Sequence, residues 1–132
     1  MAHVRAVVTL YGPVDLVEGY RTPPNPDPLD VRRVEEALFG ATPDERLDAY
    51  VDASPLTRAG QPHPPVLVVT AGRDHIVEPR FGRLLHERLA QSGVSMLLHL
   101  PWADHAFDAV PFGPSSQIAL YYTQRFLSRT LR

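Results

Sequence analysis

Two side chains are missing altogether from this 132-residue sequence, which contains neither cysteine nor lysine. Without cysteine there is no disulfide framework, no thiolate nucleophile and no cysteine-based zinc site. All thirteen cations are arginines, set against 15 carboxylates for a formal charge of −2. So even a balance leaves no electrostatic footprint for nucleic acid or an anionic membrane. No apolar run approaches the roughly 20 residues of a membrane-spanning helix. The start, Met1-Ala2-His3, has neither the basic nor the apolar character of a leader. What these absences leave is a single soluble domain, expected in the cytoplasm, with 44% hydrophobic residues to build its core.

Three short apolar runs are present: Val4–Leu10, Val66–Thr70 and Val94–Leu100. They are rich in Val and Leu without clean alternation, which suits strands covered on both faces, as in a parallel sheet. Each runs into turn chemistry, at Tyr11-Gly12-Pro13, Ala71-Gly72-Arg73-Asp74 and Pro101-Trp102-Ala103-Asp104. Helical patterns fill the gaps. Asp30 is placed to cap a helix with Val31, Val34 and Leu38 on its apolar side and Gly40 at its end. Thr42-Pro43-Asp44-Glu45 reads as a capping box opening a helix toward Tyr50. From Pro79, the positions Phe81, Leu84, Leu85 and Leu89 repeat at helical spacing toward a C-terminal cap at Gly93. A last helix from Ser115 or Ser116 presents Ile118, Tyr121, Tyr122 and Phe126. Four prolines between Thr22 and Pro28 make that stretch a loop. Strands alternating with helices predict an α/β fold, three layers deep, with a short, mostly parallel sheet. Its first and last strands are both expected at an edge.

Ligands in open α/β sheets bind beyond the carboxyl ends of the strands. Two segments land there: Gly72-Arg73-Asp74-His75-Ile76-Val77 and Ala103-Asp104-His105-Ala106-Phe107-Asp108. Neighbouring strands would bring a carboxylate and an imidazole to one rim. A carboxylate on one ring nitrogen fixes the tautomer and leaves the other nitrogen free as a base. On spacing alone, Asp74 equally suits a cap for the helix near Pro79, and His105 an ordinary loop residue.

The stretch Pro64-Pro65-Val66-Leu67-Val68-Val69-Thr70-Ala71-Gly72-Arg73-Asp74-His75-Ile76-Val77 resembles the late strand and acidic turn of α/β-hydrolase esterases. Leu100-Pro101-Trp102-Ala103-Asp104-His105-Ala106-Phe107-Asp108 is similar to the loop that presents their catalytic histidine. Tyr11-Gly12-Pro13-Val14-Asp15-Leu16 resembles the segment beyond the strand after the nucleophile elbow, and Ala53-Ser54-Pro55-Leu56-Thr57 the approach to the acidic strand. The nearest likeness is to the feruloyl-esterase-like and hormone-sensitive-lipase-like group. The resemblance implies the C-terminal portion of an α/β-hydrolase domain over 1–132, with 17–60 as a cap- or lid-like helical insertion or a simple crossover. It also implies a carboxylic ester hydrolase in which Asp74 and His105 are the acid and base of the triad. Trp102 and Phe107 are then candidates for substrate binding, or for rim and core packing.

The nucleophile is what the sequence does not offer. These hydrolases carry it in Gly-x-Ser-x-Gly, ahead of the acid and the histidine. Of Ser54, Ser92, Ser95, Ser115, Ser116 and Ser128, only Ser54 precedes Asp74, and it sits in Ala-Ser-Pro. The glycine-rich turn that would donate an oxyanion-hole N–H is also missing. No cofactor is expected. Two Asp-His pairs raise the possibility of a metal, but no helical ligand spacing accompanies them. The expected partner is a small-molecule ester, if a nucleophile-bearing segment completes the site. The alternative is a non-catalytic remnant that dimerises through its exposed first strand.

Overall fold

The structure, a computed structural model, describes residues 3–132. The leader reading at Met1 and Ala2 therefore lies outside the described residues. In chain order the elements are β1 (Val7–Leu10), α1 (Leu16–Arg21), α2 (Val31–Phe39), α3 (Leu47–Ala53), α4 (Pro55–Arg58), β2 (Val66–Ala71), α5 (Pro79–Leu89), β3 (Ser95–Leu100), a 3₁₀ turn (Phe107–Ala109) and α6 (Pro114–Thr130). The strands lie in the order β1-β2-β3, and both pairings are parallel.

The central strand β2 is buried at all six positions, which is why its sequence is a continuous apolar run rather than an alternating one. Its side chains divide between two cores. Leu67, Val69 and Ala71 pack with Leu100, Ala119 and Phe126 on the α6 face. Val66 and Val68 meet Phe81, Leu85 and Leu89 of α5 on the other. The layers are thus helix, sheet and helix.

β1 is shorter than its apolar run. Its pairing starts at Val7 opposite Val66, and the residues before Val66 are Pro64 and Pro65. The Pro65 carbonyl still accepts the Val7 N–H at 2.9 Å, but neither proline has an N–H to extend the ladder, and Val4 is exposed.

Residues 17–60 fold as a cluster of short helices, with α1 packed on α2 and α3. Tyr50 is its fully buried centre, 4.2 Å from the Phe39 ring and 6.0 Å from that of Tyr20. Its hydroxyl donates to the Ala41 carbonyl at 3.0 Å.

Several local expectations change. Asp30 adopts a left-handed φ of 51° and makes no side-chain cap; Asp27 Oδ2 accepts the Val31 N–H at 2.9 Å instead. Gly40 ends α2 as expected, at φ 73°. In the Thr42–Glu45 box, Glu45 Oε2 does receive the Thr42 N–H at 2.9 Å. That box closes only a single turn, and α3 begins at Leu47. Ala90, not Gly93, takes the C-cap position of α5. The Gly93 N–H still returns to Leu89 O at 3.0 Å, and a Cβ there would stand 2.7 Å from the His63 ring, so glycine also admits that side chain. On α6, Ser116, Ala119 and Phe126 are buried whereas Tyr121 and Tyr122 are exposed. At 100° per residue Tyr121 falls on the far side from Ala119 and Phe126.

Candidate active site

Parallel register decides where the two candidate loops meet. Thr70 pairs with His99 and Ala71 with Leu100, so β2 and β3 end at one level. The loops beyond them are then laced by backbone. The Gly72 N–H donates to Leu100 O and the Arg73 N–H to Ala103 O, both at 2.8 Å. So close an approach demands glycine, because a Cβ on Gly72 would lie 2.6 Å from the Pro101 backbone.

Asp74 stands at the head of this junction with its side chain fully buried. Oδ1 accepts the N–H groups of Ile76 and Val77 at 2.9 and 2.8 Å, an Asx-type turn that locks the carboxylate. Oδ2 faces His105 Nδ1 at 2.8 Å. Asp74 therefore does not cap α5; Glu78 holds the N-cap position. With an Nδ1–H donating to Asp74, the Nε2 lone pair of His105 is free to take a proton. Nε2 makes no hydrogen bond among the described residues, and His105 lines a cavity of about 340 Å³.

The second Asp-His pair crosses the first. His75 Nδ1 lies 3.0 Å from Asp104 Oδ1, an oxygen that also accepts the His105 N–H at 2.7 Å. Each loop thus gives its aspartate to the histidine of the other. The repeated Asp-His dipeptide thus forms two cross-links between the loops.

Tyr11 completes the support and was not singled out from the sequence. It follows β1 with a φ of 40°, a strained conformation for a non-glycine residue. Its ring meets His105 edge-on at 4.6 Å and Phe107 at 5.5 Å, and its hydroxyl donates to Asp108. Burial and that hydrogen bond push its pKa up to about 12. Tyr11 is thus a neutral buttress that ties the end of β1 to the histidine loop.

The cavity beside His105 lies between α1, α2 and the Asp74 loop. Its walls are mainly apolar, including Leu16, Leu29, Val34, Leu38, Ile76 and Phe81. Val34 and Leu38, the expected core stripe of α2, are largely exposed because they face this opening. The buried side chain of α2 is instead Glu35. An acid inside the stripe Val31-Val34-Leu38 was the sequence signal that pattern reading passed over.

The two candidate substrate-binding aromatics do not line this cavity. The chain turns left-handed at Ala106, φ 57°, and Phe107 enters the core on the α6 face. Trp102 stands half exposed. Nor does any serine line the cavity. Ser54 is buried, accepting the Leu16 N–H and donating to Tyr50 O, and Ser116 donates to the carbonyls of Phe107 and Val110. His99 sits in β3 within 2.9 Å of Thr70 Oγ1, and burial beside Arg83 lowers its pKa.

Compared with known families, residues 1–89 match the one described as BD-FAE. The chain belongs to the BD-FAE family. The matched stretch includes Asp74 and ends before His105. Esterase LipC of Mycobacterium tuberculosis is 34% identical over 132 residues, an overlap of 96% of this BD-FAE chain and 32% of LipC. The chain thus spans about a third of that curated relative's length. Among solved structures, the bifunctional GH43-CE protein of Bacteroides eggerthii superposes with a TM-score of 0.73 at 24% identity, over 96% of this chain and 16% of that one. Carboxyl esterase 2 of the fungus Tuber melanosporum gives a TM-score of 0.71 at 23% identity, over 97% of this chain and 45% of that one. The fold of the BD-FAE chain is accordingly a partial α/β-hydrolase fold. Among the described residues no helix is long and apolar enough to cross a membrane.

Proposed function

We propose that this chain supplies the acid and base of a carboxylic ester hydrolase, with a serine nucleophile contributed from outside these 132 residues. The observation that carries the reading is the buried Asp74 carboxylate 2.8 Å from His105 Nδ1, with His105 on the wall of an apolar cavity. Kinship with Esterase LipC supports the reaction class. In the proposed cycle His105 Nε2 takes the proton of the serine hydroxyl as its oxygen attacks the ester carbonyl. The imidazolium, stabilised through Nδ1–H by Asp74, then protonates the departing alcohol. Water repeats the attack on the acyl-enzyme, with His105 again as base. The helices of 17–60, which supply one side of the cavity, serve in this reading as the cap over the acyl or alcohol group.

Two measurements test the proposal. The purified chain should neither react with a fluorophosphonate serine-hydrolase probe nor turn over a short-chain aryl ester. Labelling of a residue in this chain would refute the external nucleophile. Fused behind the nucleophile-bearing half of an esterase of this fold, the chain should yield aryl-ester turnover that His105→Ala abolishes. Turnover that survives His105→Ala defeats the catalytic role.

A second reading rests on the sheet. Among the described residues β1 pairs only with β2, and Val4 and Val7 are exposed beside it. As a non-catalytic module the chain would cover that edge in a homodimer. A well-folded strict monomer in solution scattering counts against this reading.

A further inference from the structure

The group that the proposed chemistry leaves unused is Glu35. It lies on α2, is about nine-tenths buried, and lines the same cavity as His105. Its Oε2 is buried without a hydrogen-bond partner among the described residues. A buried carboxylate without a partner is among the costlier arrangements a fold can hold, and ordinary packing would replace it with leucine. The neighbouring groups offer it no cation. Asp15, at the head of α1, adds like charge. Tyr50 of α3 has its hydroxyl committed to Ala41 O. Glu78 on the cavity wall is already paired with Arg80 at 2.8 Å, and no arginine lines the cavity at all.

We propose that Glu35 is a specificity-determining residue of this cavity, selecting apolar ligands that carry a protonated amine. The inference rests on the reading of the cavity as the substrate site, and adds the substrate class: an ester with a hydrophobic body and a cationic nitrogen. An ammonium group at the cavity wall supplies both the charge and the donors that the Glu35 carboxylate lacks, and the apolar walls strengthen the pairing by excluding water. A ligand bearing a free carboxylate would meet Asp15 and Glu35 with no compensating arginine on the wall. Burial and Asp15 also raise the pKa of Glu35 to about 7, so the acid is poised to ionise when a cation arrives.

Three matched probes test the assignment on the purified chain: phenylpropylamine, phenylpropanol and phenylpropanoate, titrated by calorimetry and by NMR. At about pH 8 the amine should bind about tenfold more tightly than the alcohol, the size expected for one charge-assisted hydrogen bond. The carboxylate should bind most weakly. At about pH 5, with Glu35 protonated, the preference for the amine should vanish in the unaltered protein. Glu35→Gln and Glu35→Leu should each erase the preference for the amine over the alcohol at about pH 8. Equal binding of amine and alcohol at high pH, or a preference that survives Glu35→Gln, would overturn the proposal, as would failure of all three probes to bind. The His105 ring resonances separate this from the catalytic reading. An amine that binds through Glu35 and leaves them unmoved upholds the ligand class and refutes the cavity as the ester site.

Discussion

Replacing Glu35 by glutamine removes one ionisation and almost no volume, so its effect on stability isolates the burial of that acid. Glu35 rises from an ordinary 4.5 to about 7, chiefly because burial penalises the carboxylate and secondarily because of Asp15. The folded protein thus holds this proton more tightly than the unfolded chain. The stability that the neutral acid contributes is fully present below pH 4.5 and is lost as pH rises through about 7. At about 1.4 kcal/mol per pH unit, the whole difference is about 3 kcal/mol. Near pH 5 the two proteins should differ little beyond a constant offset, whereas by about pH 8 Glu35→Gln should have gained about 2 kcal/mol on the parent. Urea unfolding followed by circular dichroism at both pH values reads that divergence directly. The offset itself carries no weight, since the amide leaves its own donors short of partners; the slope with pH is the test. Parallel stability curves for parent and variant would show that Glu35 ionises without penalty. Its burial in the wall of the cavity would then have no electrostatic consequence.

Three further outcomes follow from the site. Gly72→Ala sets a methyl group against the Pro101 backbone, where a Cβ would lie at 2.6 Å, and should cost about 2 kcal/mol or more in urea unfolding. An unchanged midpoint would mean that the two loops can part freely. Nitrogen NMR should find His105 as the Nδ1–H tautomer, hydrogen-bonded to Asp74, with Asp74→Ala shifting it toward Nε2–H; a parent already in the Nε2–H form would remove Asp74 as the orienting group. Tyr11→Phe keeps the edge-on ring beside His105 and deletes the bond to Asp108, for a loss of about 1 kcal/mol. Tyr11→Ala should cost more and also disturb the His105 resonances, and equal costs for the two variants would show that the ring itself supports nothing.

Sequence pattern alone determined the α/β class, the three strands in their chain order and the two loops that carry Asp74 and His105. Those features are local. A run such as Val66–Thr70 is apolar because both faces of its strand are covered, and turns announce themselves through Gly, Pro and Asp. The lack of a Gly-x-Ser-x-Gly turn is equally a property of the chain as written. Helix starts were less legible, because the cap of α2 comes from Asp27, on the far side of a proline and a leucine, rather than from Asp30 beside it. Which face of α2 and α6 is buried was not legible either. Periodicity marks an apolar stripe but not what lies opposite it, and for Val34 and Leu38 that is an open cavity. Only tertiary structure decided that β2 and β3 end level, so that Gly72 can pass Pro101 closely enough to set Asp74 against His105. It alone placed Tyr11 under the imidazole and buried Glu35 without a partner. Those facts depend on contacts between residues up to 97 positions apart, the separation of Tyr11 and Asp108. Local propensity holds no record of them, because they exist only once the sheet has set its register.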